Sequence, residues 1–190
     1  MRKQLLFLAL VMITALALLS ACGESEANQP VQQEGDSVTM EQLWQIEDPN
    51  DFVIALSDYI AQKCQYGEDM SALSDPERVF YITQSLEMEV NNGGFSQFFY
   101  NSSGDFSGEL VAAFTAIGAE KTAAICQQAL SAFPQALPAD RDARMDMLEK
   151  WESDELDEAL EECDNAFYEY QEDLNALNYR YVFNHKASFT

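Results

Sequence analysis

The sequence predicts an all-α fold, a single compact multi-helix domain with a Gly-Gly helix corner and a long acidic C-terminal helix. Three observations predict it. Apolar residues from about Thr39 to Tyr181 recur at spacings of three and four, the period of one helix face. The runs are bounded by helix punctuation, with Asp48-Pro49, Ser74-Asp75-Pro76-Glu77 and Asp140 at starts and Gly118 and Pro134 at stops. A length of 190 residues at 47% apolar composition supplies the core of about one domain.

At the front, Arg2 and Lys3 precede the apolar run Leu5 to Leu19, which is too short to span a bilayer comfortably and suits the middle of a signal peptide. The run ends Leu19-Ser20-Ala21-Cys22, which resembles the bacterial lipobox, in which the Cys thiol is lipidated and becomes the mature N-terminus. An uncleaved helical anchor is the competing reading of the same residues. Both take the rest of the chain out of the cytoplasm and keep it at the cell membrane, lipid-anchored on the extracytoplasmic face if Cys22 is acylated. Several acyl tails at about 0.8 kcal/mol per buried methylene make such an attachment long-lived. Residues 1–22 are therefore assigned as lipoprotein signal peptide and lipobox. Residues 23–38, polar and almost without apolar side chains, read as a flexible tether. The helical domain is assigned to 39–182 and a C-terminal tail to 183–190.

Within the domain, Asp48-Pro49 starts a helix whose buried stripe is Val53, Leu56, Ile60 and Cys64, with Gly67 as its stop. Ser74-Asp75-Pro76-Glu77 is a capping box, and Val79, Ile82, Leu86 and Val90 form the stripe that follows. That helix delivers the stretch from Glu89 to Asp105, in which four side-chain amides (Asn91, Asn92, Gln97, Asn101) and four aromatic rings surround Gly93-Gly94. Gly93 is placed where a stopping helix needs a left-handed residue, and Gly94 where the backbone doubles back. Phe95, Phe98 and Phe99 read as buried turns straight after the break, and Asp105 as the cap of a further helix. The amides have two readings that the sequence leaves open. They present hydrogen bonds to a ligand or partner beside Phe95, Phe99 and Tyr100, or they tie up the loose backbone groups of a sharp helix-helix corner.

Beyond the corner, Leu110, Val111, Phe114 and Ile117 make a short helix ended by Gly118, and Thr122 to Phe133 a further one ended by Pro134. Asp140 caps a helix that turns Met147, Leu148 and Trp151 inward. Leu156, Leu160, Cys163, Phe167, Tyr170, Leu174, Leu177 and Tyr181 then alternate steps of four and three, a seam of period 3.5 that predicts one long final helix. Between Glu152 and Asp173 stand eleven acids and no basic residue. Asp154, Glu155, Asp157, Glu158, Glu161, Glu162, Glu169, Glu172 and Asp173 are the candidate acidic face, read either as carboxylates standing in for phosphates or as a solvated surface.

The run Val90-Asn91-Asn92-Gly93-Gly94-Phe95, Gln97-Phe98-Phe99 and Asn101-Ser102-Ser103-Gly104-Asp105 resembles the signature of the DMP19-like family of bacterial DNA-mimic proteins. The resemblance extends through Ile117-Gly118-Ala119, Phe133-Pro134 and Leu156 to Tyr181 with its Phe167-Tyr168-x-Tyr170 element, so it covers roughly residues 40–182. It implies an all-helical, very acidic domain, and for the best-understood member of the family it implies binding to a transcription factor in place of DNA. An exported chain would not meet such a factor, so the partner implied here is another basic protein.

Charge and side-chain inventory bound the chemistry. After Cys22 the chain carries 33 acidic and 8 basic side chains, a net −25. A field of that sign repels nucleic acid and attracts cations, which excludes direct nucleic-acid binding; the same charge also serves plain solubility. His185 is the single histidine, in the assigned tail, so no Ser or Cys has an evident base and a catalytic triad is not expected. No pair of His and Cys residues stands at metal-ligand spacing, and no cofactor is implied. With Cys22 lipidated, Cys64, Cys126 and Cys163 remain on apolar stripes, where reduced buried thiols are expected, one disulfide being the alternative. The expected function is a membrane-tethered, non-catalytic acidic module for a basic protein partner. A small-ligand-binding or hydrolytic lipoprotein using the Asn-Asn-Gly-Gly corner is the alternative.

Overall fold

The computed structural model describes residues 38–190. The segments expected to be a signal peptide, a lipidated Cys22 and, up to residue 37, a tether lie outside the described residues. Eight α-helices follow in order: α1 (Met40–Leu43), α2 (Pro49–Lys63), α3 (Asp75–Tyr100), α4 (Leu110–Ile117), α5 (Glu120–Ser131), α6 (Arg141–Trp151), α7 (Asp154–Tyr168) and α8 (Leu174–Asn184). Among the described residues there is no strand, and no helix is long and apolar enough to cross a membrane.

Side chains close the helix starts at Asp48, Ser74 and Asp140, where the sequence places them, and at Ser153 and Asp173, where it does not. Asp48 Oδ1 accepts the Asn50 and Asp51 amides at 2.9 and 3.0 Å, with Pro49 opening α2. Ser74 and Glu77 form the reciprocal capping box of α3. Asp140, Ser153 and Asp173 accept the amides of Ala143, Leu156 and Ala176 in the first turns of α6, α7 and α8. Gly118 at φ 84° ends α4, as its lack of a Cβ allows.

The stripes then meet in two adjoining cores. Phe95, Phe98, Phe99, Phe114, Leu160 and Phe167 lie in the larger, built from α3, α4, α5 and α7. Leu43, Phe52, Leu56, Ile60, Phe80 and Val182 lie in the smaller, where α1, α2 and α8 pack on α3. The assigned tail belongs to this second core. α8 runs to Asn184, a 3-10 turn covers Lys186–Ser188, and Phe189 is buried edge-on to Phe80.

Four local expectations are corrected. Gly93 sits at φ −171°, an extended conformation open to any residue, and it is Gly94 that takes positive φ, 79°. The final seam is divided between α7 and α8, because Tyr170 at φ 44° turns the chain while the apolar steps carry on across the break. Asp105 caps no helix; it lies inside the 3-10 helix Ser102–Glu109 and pairs with a base. α2 ends at Lys63, before Gln65, Tyr66 and Gly67, three successive residues of positive φ.

Candidate functional site

The Gly-Gly corner is held from outside by α7. Asp164 Oδ1 accepts the Phe95 amide at 2.7 Å, so one helix supplies the cap for the second half of another. The carboxylate lies so near Gly94 that a Cβ there would overlap it. Tyr168 donates its hydroxyl to Val90 O at 2.7 Å, satisfying a carbonyl freed by the break. Asn91 donates to the Tyr170 hydroxyl at 2.6 Å, and that hydroxyl donates to Glu87 at 3.2 Å. Burial pushes Asp164 above the usual carboxylate range, with Glu161 adding and the Phe95 amide opposing. Burial likewise raises Glu87, Asp173 adding and Tyr170 opposing.

Inside the corner the amides converge on a single acid. Glu89 is buried and accepts Gln97 Nε2 at 2.7 Å, Asn101 Nδ2 at 2.8 Å and Ser103 Oγ at 3.0 Å. Of the motif amides only Asn92 makes no side-chain hydrogen bond among the described residues, and it is exposed. Of the two readings of the amides, neither describes Gln97 and Asn101, which satisfy a carboxylate. The freed backbone groups at the break go to Asp164 and Tyr168, and those at the end of α3 to Arg144.

Arg144 is fully buried, and all five of its guanidinium N–H groups are used. Nε donates to Phe99 O at 2.8 Å, Nη1 to Pro138 O and Ala139 O, and Nη2 to Asn101 O and to Asp105 Oδ1 at 2.7 Å. It thereby ties the end of α3 to the bend before α6. Gly104 makes room for it, since a Cβ there would sit 2.7 Å from both Arg144 Nε and Phe99 O. Glu89 and Arg144 were not among the sequence candidates. The signal for Arg144 was its place on the inward stripe of α6, one turn before Met147 and Leu148 and two before Trp151.

The acidic face divides into working and free members. Glu172 reaches the start of α5, where it accepts the Lys121 amide at 3.1 Å and the Thr122 amide and hydroxyl at 2.9 and 3.0 Å. Burial acts to raise its pKa, but the Thr122 and Lys121 donors outweigh it and hold the carboxyl below its ordinary value. Asp173 caps α8. Glu169 is exposed and accepts Gln171 Nε2 at 2.8 Å. The remaining six, Asp154, Glu155, Asp157, Glu158, Glu161 and Glu162, are exposed on α7 and take no ion pair or side-chain hydrogen bond among the described residues. The three ion pairs of the described residues, Lys63 with Glu77, Arg78 with Glu109 and Arg144 with Asp105, all lie elsewhere.

Beside that face a cleft of about 230 Å³ opens between α6, α7 and the second half of α3. A polar groove of about 650 Å³ lies on another side, lined by Tyr66, Tyr81, Ser102, Asp105 and Arg141. Cys64, Cys126 and Cys163 are free and buried. Burial raises all three thiols, Cys163 to about 11, which suppresses the nucleophilic thiolate. His185 Nδ1 lies 2.8 Å from Tyr181 O at the end of α8. Among the described residues no group of three His, Cys, Asp or Glu side chains is arranged to hold a metal ion.

No curated protein and no solved structure matches the chain. The family model of DMP19-like proteins matches residues 71–185, a span that contains the whole Gly-Gly corner, Arg144 and the acidic face. The chain belongs to the DMP19-like family.

Proposed function

We propose that this protein is a membrane-tethered acidic lipoprotein whose helical domain binds a basic protein partner without catalysis, displaying charge as a DNA mimic does. The observation that carries this reading is the set of six unneutralised carboxylates on α7. Asp154 to Glu162 holds six acids in nine residues, roughly one charge per 2 Å of helix axis against about one per 1.7 Å of duplex DNA. Residues 38–190 hold 29 acids and 8 bases, and three of those bases are spent in internal ion pairs. None of these three pairs reaches the six acids of α7, whose charge is left for a cation from elsewhere.

The lipobox and polar tether support placing that surface outside the cytoplasm, at the membrane. A ligand site at the Asn-Asn-Gly-Gly corner has less support, because Gln97 and Asn101 are committed to Glu89 and Asn91 to Tyr170. Two experiments test the reading. Mass spectrometry of the membrane-extracted protein finds an acylated Cys22 as the first residue if the lipid is the anchor, and an unmodified Cys22 still joined to the apolar run if it is not. Capture of basic envelope proteins on the immobilised protein is lost in about half-molar salt, where the Debye length falls to on the order of 4 Å, if exposed charge drives it. Capture that survives the salt contradicts the reading.

A further inference from the structure

The cleft beside α7 joins an apolar floor to an acidic rim. Its floor is apolar: Phe99, Phe133 and Leu160 are buried there, and Leu148 and Leu156 are half-buried. Phe99 and Phe133 meet edge to face at 5.0 Å between centroids, which fixes the floor. Its mouth is polar and exposed: Glu149 comes from α6, Glu152 from the residue that follows it, Asp157 from α7, and Ser96 and Tyr100 from α3. None of these five side chains makes a hydrogen bond or ion pair among the described residues.

The size of the cleft narrows the occupant. At about 230 Å³ it is smaller than the roughly 300–1,000 Å³ of ordinary small-molecule sites, and it has the capacity of a single large side chain. Three carboxylates around the mouth reject an acidic side chain, and the aromatic floor gives no partner to a short polar one. A purely apolar side chain would fill the floor and leave the carboxylates unanswered. What matches both is a long stem ending in a cation. Between the two such residues, arginine fits better, because its flat guanidinium stacks on an aromatic face and forks to carboxylates, whereas the lysine ammonium holds its water. Tyr100, 44% exposed at the mouth, offers that face.

We propose that this cleft takes one arginine side chain of the basic partner, with the α7 carboxylates binding the flanking positive charges. The inference rests on the reading of the acidic surface as the site of a basic partner, and it adds a residue preference that charge alone does not give. Charge alone treats arginine and lysine alike.

The test uses the whole chain in detergent and three lysine-rich peptides that differ only at a central position: arginine, lysine or citrulline. Ser96→Phe plugs the mouth from an exposed position without altering charge. Glu149→Gln/Glu152→Gln/Asp157→Asn removes the rim charge at three exposed sites, so the result does not hang on one variant folding. Dissociation constants are read by fluorescence anisotropy at about 0.1 and 0.5 M salt. The expected result is arginine at least fivefold tighter than lysine and tenfold tighter than citrulline on the unaltered protein. Both variants reduce the arginine-over-lysine preference to less than twofold. Equal, salt-sensitive binding of the arginine and lysine peptides overturns the cleft assignment and leaves the acidic-surface reading standing, as does a preference that survives the plug. Binding of none of the peptides at the lower salt overturns both.

Discussion

Asp164 and Gly94 stand in a relation that fixes the corner: the carboxylate can reach the Phe95 amide at 2.7 Å only because residue 94 has no Cβ. Gly94 also sits at φ 79°, ψ −179°, a region essentially closed to other residues. Gly94→Ala therefore costs about 1–3 kcal/mol for the backbone alone, before the carboxylate is displaced. Gly93→Ala is milder, about 1 kcal/mol, since the atoms nearest its new Cβ belong to the Gln97 side chain, whose bond to Glu89 it disturbs. Urea unfolding followed by circular dichroism ranks the two, and equal effects would contradict the assignment of the turn to Gly94.

Arg144 is the second fixed point. Arg144→Met strips the guanidinium from four backbone carbonyls, of which Asn101 O keeps the Gly104 amide, and from the half-exposed Asp105, and a loss on the order of 3 kcal/mol is expected. Arg144→Lys recovers little of it, because an ammonium has three donors where five are in use. The denaturation midpoints of the two variants check this, and a lysine variant as stable as the parent would refute the five-fold role.

Glu172 behaves as a cap supplied from another helix. Glu172→Ala frees the Lys121 and Thr122 amides at the start of α5 and costs about 1 kcal/mol. Its effect on the binding of cations is small, since its oxygens are already occupied. Hydrogen exchange at Lys121 and Thr122 reports the lost protection directly.

The pH dependence of stability separates two kinds of acid. Glu87 has a folded pKa above its ordinary 4.5, so between those values the folded state binds more protons than the unfolded one. Its contribution to stability is fullest below 4.5 and is lost as pH rises through the folded value. Glu87→Gln keeps an acceptor for Tyr170 and removes the ionisation, so the variant matches the parent in acid and exceeds it at pH 7. Glu172, lowered in the folded state, acts in the opposite sense, stabilising above its ordinary pKa and ceasing to do so as pH falls through the folded one. Midpoints of the Glu87 variant that do not diverge from the parent between pH 4 and 7 would contradict the assignment.

Helix starts and stripes were legible because they are local. Ser74, Asp48, Asp140 and Gly118 act within one turn of themselves. The corner was legible as a corner, but which glycine needs the special φ was not, because Asp164 decides it from 70 residues away. The break at Tyr170 was hidden by the seam, since two helices joined by a tight turn can present the same apolar steps as one. Glu89 was lost among 33 acids, and only the convergence of three donors distinguishes it. Arg144 draws its partners from three separate segments, an arrangement no spacing encodes.

The central claim is that some acids hold the fold and the α7 set holds a partner. Asp154→Asn, Glu155→Gln, Asp157→Asn, Glu158→Gln, Glu161→Gln and Glu162→Gln are combined in one chain, and its unfolding midpoint and its affinity for the arginine-centred peptide are measured together. The account predicts a midpoint little changed, since relief of like-charge repulsion at helical neighbours offsets the loss of favourable acids in the first turn of α7, with affinity reduced at least tenfold and its salt dependence flattened. An unaltered affinity, or a chain that no longer folds, would contradict it.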